Sequence, residues 1–320
     1  MQTRDILHAL ASGQPVSGAD LAARAGVTRA AVWKHVDALR MRGLPIEAHA
    51  GAGYRLPWPI ELLDADILGH ALGTPQPASL EVHWEIDSTS AELARRRDAM
   101  PDGAVVLAEG QHAGRGRRGR SWLSPPGLNI YLSCLNRFEQ GFAGLSGLSL
   151  TVGVAVAAAL DELGVTGVGL KWPNDVMADG AKLAGILVEL NGEYQGPCTA
   201  IIGVGLNVRL TDAMREAIGQ PAADLASLCA GHPPSRNVVA AGLIRHLRAS
   251  LLRFAGEGFA GFAEAFDRRD LLRGKTLHLS GALGNFEGTG AGVTRQGALR
   301  VRTASGEVCV DSAEVTVRAR

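Results

Sequence analysis

The 320-residue sequence is poor in cysteine, in aromatic residues and in net charge. Its four cysteines, Cys134, Cys198, Cys229 and Cys309, are scattered, with no CxxC and no paired spacing. That pattern excludes a disulfide scaffold and a zinc ribbon, and it fits the reducing cytoplasm. Lysine plus arginine equal aspartate plus glutamate at 32 each. A whole-chain basic surface is therefore excluded, and any nucleic-acid surface must be local. The opening MQTRDILHAL lacks the apolar core of a secretory signal. The most apolar stretch, residues 148–160, is interrupted by Gly153 and followed by Asp161 and Glu162. It is expected to be a buried helix rather than a membrane span, so no membrane partner is expected.

What is present is enough apolar residue, 46%, to bury at least one sizeable core, in a chain long enough for two or three domains. Ile6, Leu7 and Leu10 give one apolar helical face, and Leu21 and Ala22 begin a second short helix ended by Gly26. Thr28 is placed to cap a third, TRAAVWKHVDALRMRG, with Val32, Val36 and Leu39 at helical spacing. EAHAGAGYRLP then reads as a hairpin. This order is the winged helix-turn-helix pattern, and the prolines of LPWPIELL mark a linker. From about residue 80, strand-like runs (EVHWEI, AVVLAE, LNIYLSCL, GVGLKW, KLAGILVEL, TAIIGVGLNV) alternate with helical stretches, which predicts an α/β or α+β domain. Beyond Leu272 short strands with glycine turns suggest a small β-barrel.

Residues 114–120 read GRGRRGR, between two predicted strands. Glycines let the backbone approach a ligand. Arg115, Arg117, Arg118 and Arg120 supply forked donors for phosphate, each charge-assisted bond contributing about 1.5–3 kcal/mol. The segment reads equally as a mobile basic loop or an RGG-like nucleic-acid tract. In KWPND, Asp175 can support Mg²⁺ or be an ordinary turn aspartate. Lys182 opens a strand, either snorkelling at an edge or offsetting carboxylate and phosphate charge. In IDSTS, Ser88, Thr89 and Ser90 can cap a helix or donate to a small neutral ligand head. Arg29, Lys34, His35, Arg40 and Arg42 give the third predicted helix a basic face, and Arg55 adds a wing cation. The alternative is a structural cap that binds no DNA.

The set IDSTS, GQHAGRGRRGRSW, GLNIYLS, KWPND, KLAGILVEL and GVGLNV strongly resembles the biotin–protein ligase family. With the helix-turn-helix before it, the chain resembles the bifunctional type that is both biotin–[biotin carboxyl-carrier protein] ligase and biotin-operon repressor. The resemblance spans essentially the whole chain. It implies a multidomain α+β fold: a winged helix-turn-helix at 1–62, a class II synthetase-like α/β catalytic domain at 63–270 and an SH3-like β-barrel at 271–320. It implies two steps: biotin and ATP give biotinyl-5′-AMP and pyrophosphate, then a carrier-protein lysine takes the biotin. Ser88, Thr89, Ser90 and Gln111 are expected around the biotin head. Arg115, Gly116 and Arg117 are expected around carboxylate and phosphate, and Lys182 at their junction. Asp175 is expected to support Mg²⁺, and Asn207 to lie near the nucleotide, with Arg117, Lys182 and Asp175 as the catalytic set. Arg29, Lys34, His35 and Arg55 are the expected DNA contacts, operator half-sites requiring a homodimer. Arg318 is a further nucleotide-contact candidate. Two departures stand out: the family commonly has asparagine at Ser90, and residues 211–226 carry no aromatic to stack on adenine.

The bound adenylate is expected to order the central loops, promote dimerisation and so promote operator binding. The basic loop is accordingly expected to be mobile without ligand. Competing readings are a relative acting on lipoate or octanoate, and a regulator that has lost catalysis.

Overall fold

A computed structural model describes residues 2–281, 284–311 and 315–319. Three short helices open the chain: α1 (Gln2–Leu10), α2 (Gly18–Ala25) and α3 (Arg29–Met41). Thr28 caps α3, its hydroxyl accepting from Ala31 N at 3.2 Å, as the sequence predicts. The hairpin β1 (Glu47–His49) and β2 (Gly53–Arg55) follows. Ile6, Leu7, Leu10, Leu21, Val32, Val36 and Leu39 form its core, against which the linker residues Ile60 and Leu62 and the more distant Trp84 pack.

The middle of the chain contains α4 (Ala65–Leu72), β3 (Leu80–Ile86), α5 (Thr89–Arg96), β4 (Val105–Gln111) and β5 (Ile130–Phe138). These are followed by α6 (Leu148–Glu162), β6 (Gly169–Lys171), β7 (Asp175–Ala178), β8 (Ala181–Gly192) and β9 (Cys198–Leu206). The helices α7 (Asp212–Ile218), α8 (Leu225–Leu228), α9 (Arg236–Glu257) and α10 (Ala263–Asp267) complete it. Its strands make a seven-stranded sheet in the order β3-β4-β5-β9-β8-β7-β6. Only β3 and β4 are parallel, joined through α5; the other pairs are antiparallel. The apolar stretch is α6, with Val152, Val156 and Leu160 fully buried in the main core beside α9 residues such as Leu243 and Leu247. Segment 142–162 is long and apolar enough to cross a membrane, but 67% of that window is buried inside the protein. β10 (Thr276–Gly281), β11 (Gly284–Val293), β12 (Leu299–Thr303), β13 (Gly306–Val310) and β14 (Val315–Ala319) form a five-stranded antiparallel sheet in the order β13-β12-β11-β10-β14. Among the described residues no ladder closes β13 onto β14, so the small barrel expected from sequence is seen as a sheet. Trp172 ties it to the middle of the chain: its indole N–H donates to the Gly297 carbonyl at 3.0 Å.

Where the first module meets the central sheet, two charges are buried. Arg236, first residue of α9, donates to Glu109 of β4 at 2.9 Å, each side chain 4% exposed. Glu109 also accepts from the backbone N–H of Leu63 and of Gly127 at 3.0 Å. Arg236 reaches the Glu61 and Asn129 carbonyls at 2.5 and 2.7 Å. The linker is thus clasped to the sheet by charge-assisted bonds. Removing one partner leaves an uncompensated buried charge. Arg236→Ala or Glu109→Ala is therefore expected to cost about 3–5 kcal/mol in urea unfolding, and the double substitution less than the sum of the two.

Candidate active site

The central sheet offers a stretch of bare backbone. Gly205 stands between Tyr131 of β5 and Gly185 of β8, and Gly203 between Ser133 and Leu187. A Cβ on Gly205 would come within 2.5 Å of Trp122, and one on Gly185 within 2.9 Å. The Trp122 indole therefore lies against the sheet, where a side chain at Gly185 or Gly205 would meet it. A Cβ on Gly203 would meet Ser90 Oγ at 2.8 Å. Alternate glycines in GVGLN are the sequence sign of this floor.

At one end of the floor is a cluster of hydroxyls. Ser88 is the N-cap of α5, accepting from Ala91 N at 3.4 Å, so the capping role read from sequence is real. Thr89 and Ser90 turn inward: Ser133 Oγ lies 2.7 Å from Thr89 Oγ1 and 2.9 Å from Ser90 Oγ. Gln111 Oε1 accepts from Thr89 N at 2.9 Å, and its amide donates to Ser124 Oγ at the same distance. Ser133 and Ser124, both buried, escaped the sequence reading because serines within strand and loop carry no spacing signal. Asp87, just before the cluster, is held by Arg95 at 2.5 and 2.9 Å, which pulls its carboxyl down to about 2.

At the other end lies the arginine loop. It has a defined form: Trp122 N donates to Gly114 O at 2.8 Å, Gly116 N to Arg120 O at 2.7 Å, and a tight turn covers residues 117–119 with Arg118 at φ 58°. Its own turn bonds and the seat of Trp122 hold it in this form. Arg117 is half-buried and donates to Asn174 Oδ1 at 3.3 Å, and burial lowers its pKa from the ordinary value. Asn174 is fixed in turn, donating to and accepting from the Ile186 backbone at 2.8 and 3.0 Å. Arg115, in contrast, points to Glu189 at 2.9 Å, although it still lines the pocket with Gly116.

Lys182 stands at the junction. Its Nζ lies 2.5 Å from Asp175 Oδ1 and 5.5 Å from the centre of the Trp122 ring. Asp175 opens β7 rather than sitting in the turn of KWPND. A second cleft continues past Lys182, lined by Trp122, Asn207, Ile218 and Gln220. Asn207 is buried and its amide donates to Ala223 O at 3.0 Å and to Lys182 O at 3.3 Å, so it fixes the wall as well as lining it. The aromatic missing from residues 211–226 is supplied to this cleft by Trp122.

The DNA candidates divide. Arg29 and Lys34 are exposed on α3, beside Trp33 at 56% exposure, which the sequence reading passed over. His35 turns inward to Thr3 Oγ1 at 2.9 Å, and Arg55 is paired with Glu47 of its own hairpin at 2.8 Å. Both therefore have protein partners, whereas Arg29 and Lys34 are exposed. The Arg318 side chain lies outside the described residues. Gly205→Ala, which must lift Trp122 from the sheet, is expected to cost about 1–3 kcal/mol of stability; urea unfolding checks this.

Comparison with known proteins agrees with this layout. Residues 84–207 match the Biotin/lipoate A/B protein ligase family, and residues 2–55 match an HTH domain. The chain is 39% identical over 97% of its length to Bifunctional ligase/repressor BirA of Escherichia coli (strain K12), covering 97% of that protein. It is 28% identical to the protein of the same name from Bacillus subtilis (strain 168), over 97% of this chain and 96% of that one. The solved biotin protein ligase from Aquifex aeolicus in complex with biotin and ATP superposes with TM-score 0.66 at 29% identity, covering 76% of this chain and all of that one. The chain belongs to the bifunctional ligase/repressor family of biotin–protein ligases.

Proposed function

We propose that the chain is an ATP-dependent biotin–protein ligase and a DNA-binding repressor that uses biotinyl-5′-AMP as corepressor. The observation that carries the ligase reading is one continuous site: a hydroxyl-lined end, a bare glycine floor under Trp122, then Lys182 between the arginine loop and a second cleft. Ser88, Thr89, Ser90, Gln111 and Ser133 are assigned to the polar ring of biotin. A dithiolane or alkyl acid has no partners for so many hydroxyl and amide groups, which favours biotin over lipoate or octanoate.

In the first step a biotin carboxylate oxygen attacks the α-phosphorus of ATP. The bond from that phosphorus to the bridging oxygen breaks, and pyrophosphate leaves. Lys182 and Arg117 are placed for the growing charge at the carboxylate–phosphate junction. Arg115 and Gly116 close the loop over it, Arg115 exchanging Glu189 for phosphate. The adenine occupies the second cleft against Trp122 and Ile218, near Asn207. In the second step the carrier lysine's amine attacks the acyl carbon, the bond from that carbon to the phosphate oxygen breaks, AMP leaves and the amine's proton goes to solvent. Trp122 and the loop keep water from the anhydride.

Among the described residues no group of three or more acidic, histidine or cysteine side chains forms a metal cage. Asp175 nevertheless fits a magnesium ion carried mainly by the nucleotide phosphates: it is a carboxylate, the hard oxygen ligand magnesium prefers, and it stands at the junction beside Lys182, with which its Oδ1 is ion-paired. Asp175 would hold that ion, which supplies charge neutralisation. The domains are assigned to 1–62, 63–270 and 271–320, with α3 as the operator-reading helix, a homodimer as the DNA-bound form, and the cytoplasm as the compartment.

Transfer of labelled biotin to a carboxyl-carrier domain with ATP and Mg²⁺ is expected. Lys182→Ala is expected to abolish it, and a normal rate would remove Lys182 from its role. On duplex DNA, Lys34→Ala is expected to reduce the slope of log affinity against log salt by about one, and His35→Ala to leave it unchanged.

A further inference from the structure

Three consecutive residues of β4 have three different duties. Glu109 clasps the linker, Gly110 makes room for a side chain from the first module, and Gln111 braces the hydroxyl cluster. The side chain beside Gly110 is Arg42. It caps the C-terminal end of α3, yet its guanidinium leaves that module and pairs with Glu85 of β3. In the ladder Glu85 stands opposite Gly110, and Ile86 opposite Gln111. A Cβ on Gly110 would come within 2.6 Å of Arg42 Nη2 and 3.2 Å of the Ser124 carbonyl. Arg42 thus occupies the space a β4 side chain would take.

The path from there to the pocket is short. The Ser124 carbonyl accepts from Gln111 N at 3.1 Å, Ser124 Oγ accepts from the Gln111 amide, and Gln111 Oε1 accepts from Thr89 N. Each side chain of the Arg42–Glu85 pair is 23% exposed, and Arg42 Nη2 is buried with no hydrogen-bond acceptor. Burial draws the guanidinium below its ordinary pKa, and its contacts are Glu85 and the close packing at Gly110. The other Glu85 oxygen faces His112 Nε2 at 3.5 Å, directly after Gln111.

We propose that Arg42 and Glu85 form a latch through which the helix-turn-helix module braces the wall of the acyl-acid pocket. Arg42 is a positioning residue for the biotin head, acting through Gly110, Ser124 and Gln111. The identity of that acid rests on the ligase reading; the latch rests on the geometry. Linkage makes the effect reciprocal: what binds the pocket biases the seat of α3, and what binds α3 biases the pocket.

Calorimetry of the full chain with biotin tests this. Arg42→Ala and Glu85→Gln are each expected to weaken biotin about tenfold, and the double variant no further, because the two changes break one interaction. Arg42→Lys is expected to recover most of the loss. In carrier labelling, KM for biotin is expected to rise while kcat stays within about twofold. A merely structural role would lower the active fraction without moving KM. Biotin affinity within about twofold of the parent in both single variants, or losses that add in the double, would overturn the latch. Failure of the ligase reading is distinguishable, since the parent chain would then bind no biotin; with no biotin head to position, that result also overturns the assignment of Arg42.

Discussion

The buried pair of Glu109 and Arg236 holds the chain's parts in register. Two charges taken out of water are tolerated only where hydrogen bonds satisfy them. Here the carboxylate takes two backbone N–H groups besides the guanidinium, and the guanidinium takes two carbonyls. Those backbone groups belong to the linker and to the loop ahead of β5. Ser235 and Asn237, on either side of Arg236, extend the clasp to Glu61, Leu62 and Asp64. The linker therefore does not behave as a free tether, and the first module is held against the back of the ligand site.

That seating gives β4 its unusual sequence. A central strand ordinarily ends its buried run in branched apolar residues, yet VVLA is followed by Glu-Gly-Gln. Each departure answers to something the strand alone cannot supply: the linker, Arg42, and the hydroxyl cluster. The same reasoning covers Gly185, Gly203 and Gly205. Glycine weakens a strand, and here that cost accompanies a surface flat enough for an indole and close enough for the hydroxyls of Ser90 and Ser133 to meet over it.

Much of this was legible in the sequence. The caps at Thr28 and Ser88, the apolar faces of α1 to α3, the burial of α6 and the strand positions follow from local periodicity and capping chemistry, which a sequence displays. The loop, KWPND and Lys182 were found as motifs, and they do converge. What could not be read was pairing at a distance. Nothing near Arg42 announces Glu85, nothing near Arg55 announces Glu47 until the hairpin register is known, and nothing near His35 announces Thr3 until α1 is seen beside it. Ser133 is one serine in a strand until Thr89 and Ser90 are brought to it.

The segment between β9 and α8 sharpens the regulatory argument. It carries no aromatic, and it is already folded: Thr211 caps α7, Arg215 is held by Asp224 at 2.7 Å, and Met214 packs with Leu128 and Leu210. A ligand shifts an equilibrium only by its difference in affinity between states. If ligand state is to reach the DNA module, the differential contacts must come from elements that touch both, and Met214 of α7 lies near Gly43, 3.7 Å from where a Cβ would stand, while Arg42 lies against Gly110. Both contacts fall at the C-terminal end of α3. These contacts between the pocket wall and the first module lie within one chain.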